Sequence, residues 1–287
     1  MTILYKQIVP TANALESRLR IFQAVQARPK YLKNHKIVTP WGEAIITGRL
    51  GQRHCDLIES IRFCTEKTLD KEGKLWLLVD PHKLRQKMGE HYSHGQIKIL
   101  TKELMEAVIE YGTDDGPVIG HLIDNVKPAK IERFDPLSNI REEMTNERTK
   151  TTRKLLAVEV GIPGRKFLFD GIRLFYDPGP IVRLKSGMSQ TIARHVLGHK
   201  TVPNGGWKLD PLLEAVAGKM TGTKLWNARR AIRDDSEGLL EIGIEVKEGR
   251  INLLNEHGFV GQEAVPDILG VGLVLMAAGF VLRVFSG

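Results

Sequence analysis

Residues 75–111 read LWLLVDPHKLRQKMGEHYSHGQIKILTKELMEAVIEY. The apolar run Leu75-Trp76-Leu77-Leu78-Val79 predicts a short buried strand. Asp80 then supplies a helix N-cap, and Pro81 the first helical position, where a missing N–H costs nothing. Leu84 and Met88 give the short helix one apolar face, and Gly89 closes it. Ser93-His94-Gly95-Gln96 has the form of a capping box that opens a second helix. Ile97, Leu100, Leu104, Val108 and Tyr111 then recur at the helical period, and Gln96, Lys98, Thr101 and Lys102 lie on or near the opposite face. His94, in the turn, stands beside them. Strand, short helix, tight turn and a longer helix with a basic outer face predict a helix-turn-helix inside a winged-helix module. Such a helix fits the major groove of DNA, and Lys, Gln and Thr reach phosphates or base edges. The alternative is an ordinary two-helix corner of an α/β protein.

The totals are compatible with this. The chain has 287 residues, which predicts about two domains, and 42% hydrophobic content is ample for their cores. The net charge of +8 favours a polyanionic partner. Cys55 and Cys64 form neither a paired metal motif nor a disulfide framework, which fits a reducing cytoplasm. The start, MTILYKQIVP, lacks the basic segment and long apolar core of a signal peptide.

Outward from the central stretch, Thr11 is a candidate cap for a helix carrying Leu15, Leu19 and Phe22. Lys30, Lys33, His35 and Lys36 make a basic linker, Thr39-Pro40-Trp41-Gly42 a turn, and 43–48 a short strand. Leu57, Ile58, Ile61 and Cys64 predict a helix from His54 to about Thr68. Pro117–Ile123 reads as a strand with 152–160 as its partner. The long polar connection 127–151 between them is either a wing on the DNA backbone or a solvated loop.

Ile162-Pro163-Gly164 reads as a boundary, after which the pattern repeats. Phe167–Phe175 reads as strand material and Met188–His199 as a helix. Asp210-Pro211 opens another short apolar-faced helix that closes on Gly218. A second helix follows over 223–234, with Leu225, Ala228 and Ile232 on one face and Lys224, Arg229, Arg230 and Arg233 on the rest. Residues 239–246 and 250–254 flank the turn Lys247-Glu248-Gly249 and predict a hairpin, a second wing.

Signs of catalysis are sparse. Arg194-His195-Val196-Leu197-Gly198-His199 resembles the Leu-Gly-His element of tyrosine recombinases, but none of the five tyrosines follows His199, so the nucleophile is absent. His91 and His94 sit beside Glu90 without a third ligand at metal-site spacing. No phosphate-binding loop or nucleophile elbow occurs. The run 268–282 carries no charge, but a spanning helix needs about 20 apolar residues. It reads first as a buried C-terminal helix or dimer contact, with membrane association as the less favoured alternative.

Over about residues 50–255 this arrangement resembles the plasmid replication initiators with tandem winged-helix domains, the Rep proteins of the iteron-binding type, including the TrfA-like group. The likeness lies in duplicated helix-turn-helix units, a basic chain and a suitable size. It implies an α+β fold of two tandem winged-helix domains, here 50–161 and 162–256, after an N-terminal extension 1–49 and before an apolar tail 257–287. It also implies that Lys224, Asn227, Arg229, Arg230 and Arg233 read an origin repeat. His94, Gln96, Lys98, Thr101 and Lys102 would make the other contact. The implied partners are double-stranded DNA, host replication proteins and a second copy of the chain. No cofactor, metal or catalytic residue is implied. A winged-helix transcriptional regulator, with the same DNA-binding parts and no replication role, is the other reading.

Overall fold

The computed structural model of the chain describes residues 3–5, 9–90, 92–130, 154–199 and 201–254. It begins with β1 (Ile3–Tyr5), β2 (Ala12–Asn13) and α1 (Ala14–Arg18), then β3 (Leu32–Thr39), β4 (Gly42–Gly48) and α2 (Gln52–Phe63). The central stretch follows as β5 (Thr65–Lys71), β6 (Lys74–Val79), α3 (Pro81–Met88) and α4 (His94–Glu106). After it come β7 (Val108–Thr113), β8 (Gly116–Gly120), β9 (Ile123–Lys130) and β10 (Lys154–Val160). Then α5 (Ile162–Phe169), β11 (Arg173–Leu174), α6 (Gly179–Val182) and α7 (Gly187–Leu197) lead to β12 (Trp207–Lys208) and α8 (Leu209–Ala217). The last are α9 (Thr223–Asp234), α10 (Ser236–Glu241), β13 (Ile244–Lys247) and β14 (Arg250–Leu253). The fold is α+β, and every paired strand within its sheets is antiparallel.

The local signals of the central stretch act as their chemistry dictates. Asp80 Oδ1 accepts from the backbone N–H of His82 at 2.8 Å, which caps α3. Gly89 closes it at φ 87°, and Gly218 closes α8 at φ 81°, a backbone region where a Cβ is unfavourable. Ser93 and Gln96 exchange hydrogen bonds with each other's backbone N–H and open α4.

The two halves share one order of elements. In the first, α2, β6, α3, α4, β9 and β10 follow one another, and the strands lie in the order β6-β10-β9. In the second, α7, β12, α8, α9, β13 and β14 come in the same order, with the short α10 inserted between α9 and β13, and the strands lie in the order β12-β14-β13. Each places its last strand in the middle. The first half adds β5 as a hairpin partner of β6, and β7–β8 between α4 and β9. The hairpins β5–β6 and β13–β14 turn through residue pairs with positive φ, Glu72-Gly73 (56° and 72°) and Glu248-Gly249 (50° and 69°).

Several expectations are corrected. The helix expected over 54–68 ends at Phe63, where Thr65 turns its hydroxyl back to the Ile61 carbonyl and starts β5. Val108 and Tyr111 lie outside α4, in β7, paired with β4 and β8. Their helical spacing is a coincidence of period, since burial in β7 alternates. β10 pairs with β9 and β6, not with the strand around Pro117, which is β8 and folds back on β7. Phe167 belongs to the helix α5, with Pro163 in its first turn and Phe167 and Leu168 on its buried face; only Arg173–Leu174 is strand. Asn13, not Thr11, caps the short α1, and Arg20 at φ 55° follows where a longer helix was expected. Thr11 donates to the Tyr176 carbonyl instead.

The stretch 1–49 supplies strands to the body of the molecule. β1 pairs with β5, and β3 and β4 join β7 and β8 in a four-stranded sheet. One core gathers Leu57, Leu77, Leu104 and Ile109, and a second gathers Ile192, Leu213, Ile232 and Ile251. Ala12 and Ala14 pack into the second. Among the described residues no helix is long and apolar enough to cross a membrane. The run 268–282, most of the expected wing 127–151, and His91 lie outside them.

Candidate nucleic-acid interface

α4 and α9 are built alike. Each packs an apolar stripe whose second and third members fall three and seven residues after the first, the first partly buried and the others buried: Ile97, Leu100 and Leu104 in α4, Leu225, Ala228 and Ile232 in α9. The stripe fixes what faces outward. On α4 these are His94, Gln96, Lys98, Ile99 and Lys102; on α9, Lys224, Trp226, Asn227, Arg230 and Arg233.

The expected contact residues differ in how free they are. Lys98 is exposed, and Lys102 reaches only to Glu106 at 3.5 Å. Gln96 Oε1 accepts from the Ser93 N–H at 2.9 Å, so its carbonyl serves the cap. Thr101 is half-buried and donates to the Ile97 carbonyl at 2.8 Å. His94 Nε2 lies 3.4 Å from Arg85 Nη1 at the corner between α3 and α4.

In α9, Arg229 is engaged. Its guanidinium pairs through two nitrogens with both carboxylate oxygens of Asp210 on α8. The Arg229 hydrogen bond, chiefly, holds the Asp210 carboxyl below the ordinary range. Asp210 therefore does not repeat the capping role of Asp80; Lys208 precedes α8 without a side-chain cap. Arg230 is exposed, lies over the Trp226 ring at 5.7 Å and approaches Asp234 at 3.5 Å. Lys224, Asn227 and Arg233 are exposed. Trp226, 52% exposed in the middle of this basic face, was not singled out from sequence; a tryptophan outside the apolar stripe was the available signal.

α4 is anchored to α2 through His54. Its Nδ1 accepts from the Gly51 N–H at 3.1 Å, which leaves the proton on Nε2 to donate to Glu103 at 2.9 Å. Burial, the largest cause, lowers the His54 pKa despite Glu103. Arg49 also approaches Glu103, at 3.8 Å.

The Arg194–His199 element sits inside the molecule. Arg194 is buried among Gln52, Asp56 and Glu59 of α2, so its donors are not presented to a phosphate. His195 and His199 face each other with Nε2 atoms 3.1 Å apart, between Trp41 and Trp207 and near Arg18. Burial, aided by His199 and Arg18, takes the His195 pKa down to about 3. Among the described residues no group of three or more His, Cys, Asp or Glu is placed to hold a metal ion.

No protein-family model matches the chain, and no curated protein matches it. Among solved structures, the crystal structure of domains 2 and 3 of RctB is similar with a TM-score of 0.48 and 9% identity, over 83% of this chain and 95% of that one. A likeness this loose establishes neither a family nor a function.

Proposed function

We propose that the chain is a sequence-specific binder of double-stranded DNA built from two tandem winged-helix units, about 50–161 and 162–256, and that it serves as a plasmid replication initiator at origin repeats. The observation that carries this reading is the repeat itself: one order of helices and strands occurs twice, with the last strand central each time. In both copies the second helix of the helix-turn-helix turns a basic face outward, with Lys98 on α4 and Lys224 and Arg233 on α9 exposed. An α-helix of that kind fits the major groove, and in this reading the hairpin β13–β14 is the wing that touches the backbone. In this reading Lys224, Asn227, Arg230 and Arg233 read bases, Lys98 and Lys102 hold phosphates, and Arg229 braces α9. The chain acts in the cytoplasm without chemistry of its own. It recruits host replication proteins and associates with a second copy of itself.

The test is a footprint of the purified chain on the DNA beside its own coding region. Protection of direct repeats at spacings related to about 10.5 base pairs, next to an AT-rich stretch, is the expected result. Protection of a single palindrome over a promoter would replace the initiator with a transcriptional regulator. Affinity for duplex DNA that does not change with salt would remove DNA binding altogether.

A further inference from the structure

We infer that a buried hydrogen-bonded chain centred on Arg194 is a rigid joint that fixes the separation of α4 and α9, and so makes Arg194 and Tyr92 positioning residues for the spacing of the DNA site. This rests on the DNA-binding reading for its consequence, but not for the joint.

The path can be followed atom by atom. Tyr92, directly before the Ser93 cap of α4, donates its hydroxyl to Asp56 Oδ2 at 2.7 Å. Asp56 Oδ1 accepts from Arg194 Nη2 at 2.6 Å. The same guanidinium gives Nε and Nη2 to the two oxygens of Glu59 at 2.9 and 2.8 Å, and Nη1 to Gln52 at 2.7 Å. Arg194 belongs to α7, whose start is held by Asp235 at the end of α9: its carboxylate accepts from the N–H groups of Lys185 and Ser186, both at 2.9 Å. One element pair therefore links the beginning of α4 to the end of α9. Tyr92, Asp56, Arg194 and Asp235 are all buried.

The choice of groups tells what the contact does. α2 and α7 are the equivalent first helices of the two copies, and apolar side chains would hold them together at least as well. A buried ion pair offsets its own desolvation only when its geometry is satisfied, and an apolar replacement is often no less stable. What charged, directional groups add is one permitted register, because an arginine fork meets two carboxylates in a single arrangement. Apolar surfaces tolerate sliding. A protein whose two reading helices must meet two positions on one rigid duplex needs that register.

The experiment uses the full chain with spin labels on Glu106→Cys and Asp234→Cys, exposed positions at the ends of α4 and α9 whose carboxylates lie 3.5 Å from Lys102 and Arg230; the DNA titrations use unlabelled chains. The native Cys55 and Cys64 are buried. The wild-type background is expected to give one narrow distance distribution. Arg194→Lys, which keeps the charge and loses the fork, is expected to broaden it at least about twofold; Tyr92→Phe, which keeps the ring packing, broadens it less. In parallel, a duplex selected from a random library by the wild type receives five extra base pairs at its centre, about half a helical turn. The wild type is expected to lose about tenfold or more in affinity, and folded Arg194→Lys less than about threefold, by the gap in coupling that a relaxed joint leaves. A broad wild-type distribution, or variants that keep the wild-type width, overturns the joint. Broadening with an unchanged insertion penalty overturns its role in spacing. If Arg194→Lys does not fold, Tyr92→Phe decides by the same two readouts. If selection yields no preferred duplex, the DNA-binding reading fails and the proposed role in spacing fails with it, while the label distances still decide whether the joint exists.

Discussion

Arg229 and Arg230 are adjacent in α9 and do different work. Arg229 is forked onto Asp210, with both side chains close to half exposed, while Arg230 lies over Trp226 on the open face. An exposed pair of that kind adds little to stability. Arg229→Ala is therefore expected to leave the urea unfolding midpoint nearly unchanged, and to weaken cognate and random duplexes alike. Arg230→Ala is expected to remove about 1–3 kcal/mol of discrimination in a competition titration and leave unfolding unchanged. The reverse pattern would mean that Asp210 releases Arg229 when DNA binds and that Arg229 is the reader. His195 gives a prediction of another kind. Its pKa falls from 6.5 to about 3 in the fold. Below 6.5 the unfolded chain takes up a proton that the folded chain refuses, so stability falls as pH drops from about 6.5 to about 3, by up to about 1.4 kcal/mol per pH unit. His54 and His199, lowered by burial as well, act in the same direction; Asp56, which burial pushes up, acts against them. Urea midpoints at pH 7.5 and 5.5 are expected to differ less in His195→Gln than in the wild type. Equal differences would show that His195 is not the group that refuses the proton.

At the scale of elements, what could be read in the sequence was what neighbours in the chain decide. Asp80-Pro81, Gly89, the Ser93–Gln96 box and Gly218 bound their helices because each acts on backbone groups within four residues. The 223–234 helix and the hairpin turn Lys247–Gly249 were legible for the same reason, but the first hairpin strand was not: 239–241, expected as strand, belong to the helix α10, and β13 starts only at Ile244. The sheet β3-β4-β7-β8 was not legible, because its two hairpins join only through β4 and β7, across more than 60 residues, and β7 carries apolar residues at a spacing that also suits a helix. Phe167–Phe175 misled by composition, since aromatic content favours a strand while Pro163 permits a helix start. At the candidate interface the outward faces of α4 and α9 followed from the apolar stripes, but Arg229's partner lay 19 residues away on another helix. Arg194's carboxylates lay 135 and 138 residues away, beyond any local pattern. The hairpin turn of the second copy is itself testable. Gly249 sits at φ 69°, where a Cβ costs about 1–2 kcal/mol, and nothing lies within 4 Å of where one would stand. Gly249→Ala is expected to lose about that much stability, through backbone strain alone, with specific recognition by α9 intact. A loss of specificity at unchanged stability would place the turn itself on the DNA.

The molecule as a whole carries a net charge of +8, but its basic groups are not equally available. Arg62 is forked onto Glu16 inside the protein, Arg194 lies in the joint, and Lys36, Lys83 and Lys87 are paired with carboxylates at 2.6 to 2.8 Å. Lys98, Lys224, Arg230 and Arg233 stand on the two outward helix faces. Counterion release depends on the cations that meet phosphates, not on the total, and the logarithm of the binding constant falls with the logarithm of salt by about 0.9 for each phosphate contact. If α4 and α9 sit on one duplex together, each contributes its own share of that slope. Lys98→Ala and Lys102→Ala combined are expected to reduce the slope by about 2, and to weaken cognate and random duplexes by similar factors, because phosphate contacts carry no sequence information. Arg230→Ala is expected to change the slope by about 1 or less while removing discrimination. The measurement is a salt series of binding isotherms on a specific and a scrambled duplex for each variant. A slope untouched by the two lysine changes would mean that α4 does not face DNA. The second copy would then bind alone, and the first copy's basic helix face would be left for another partner.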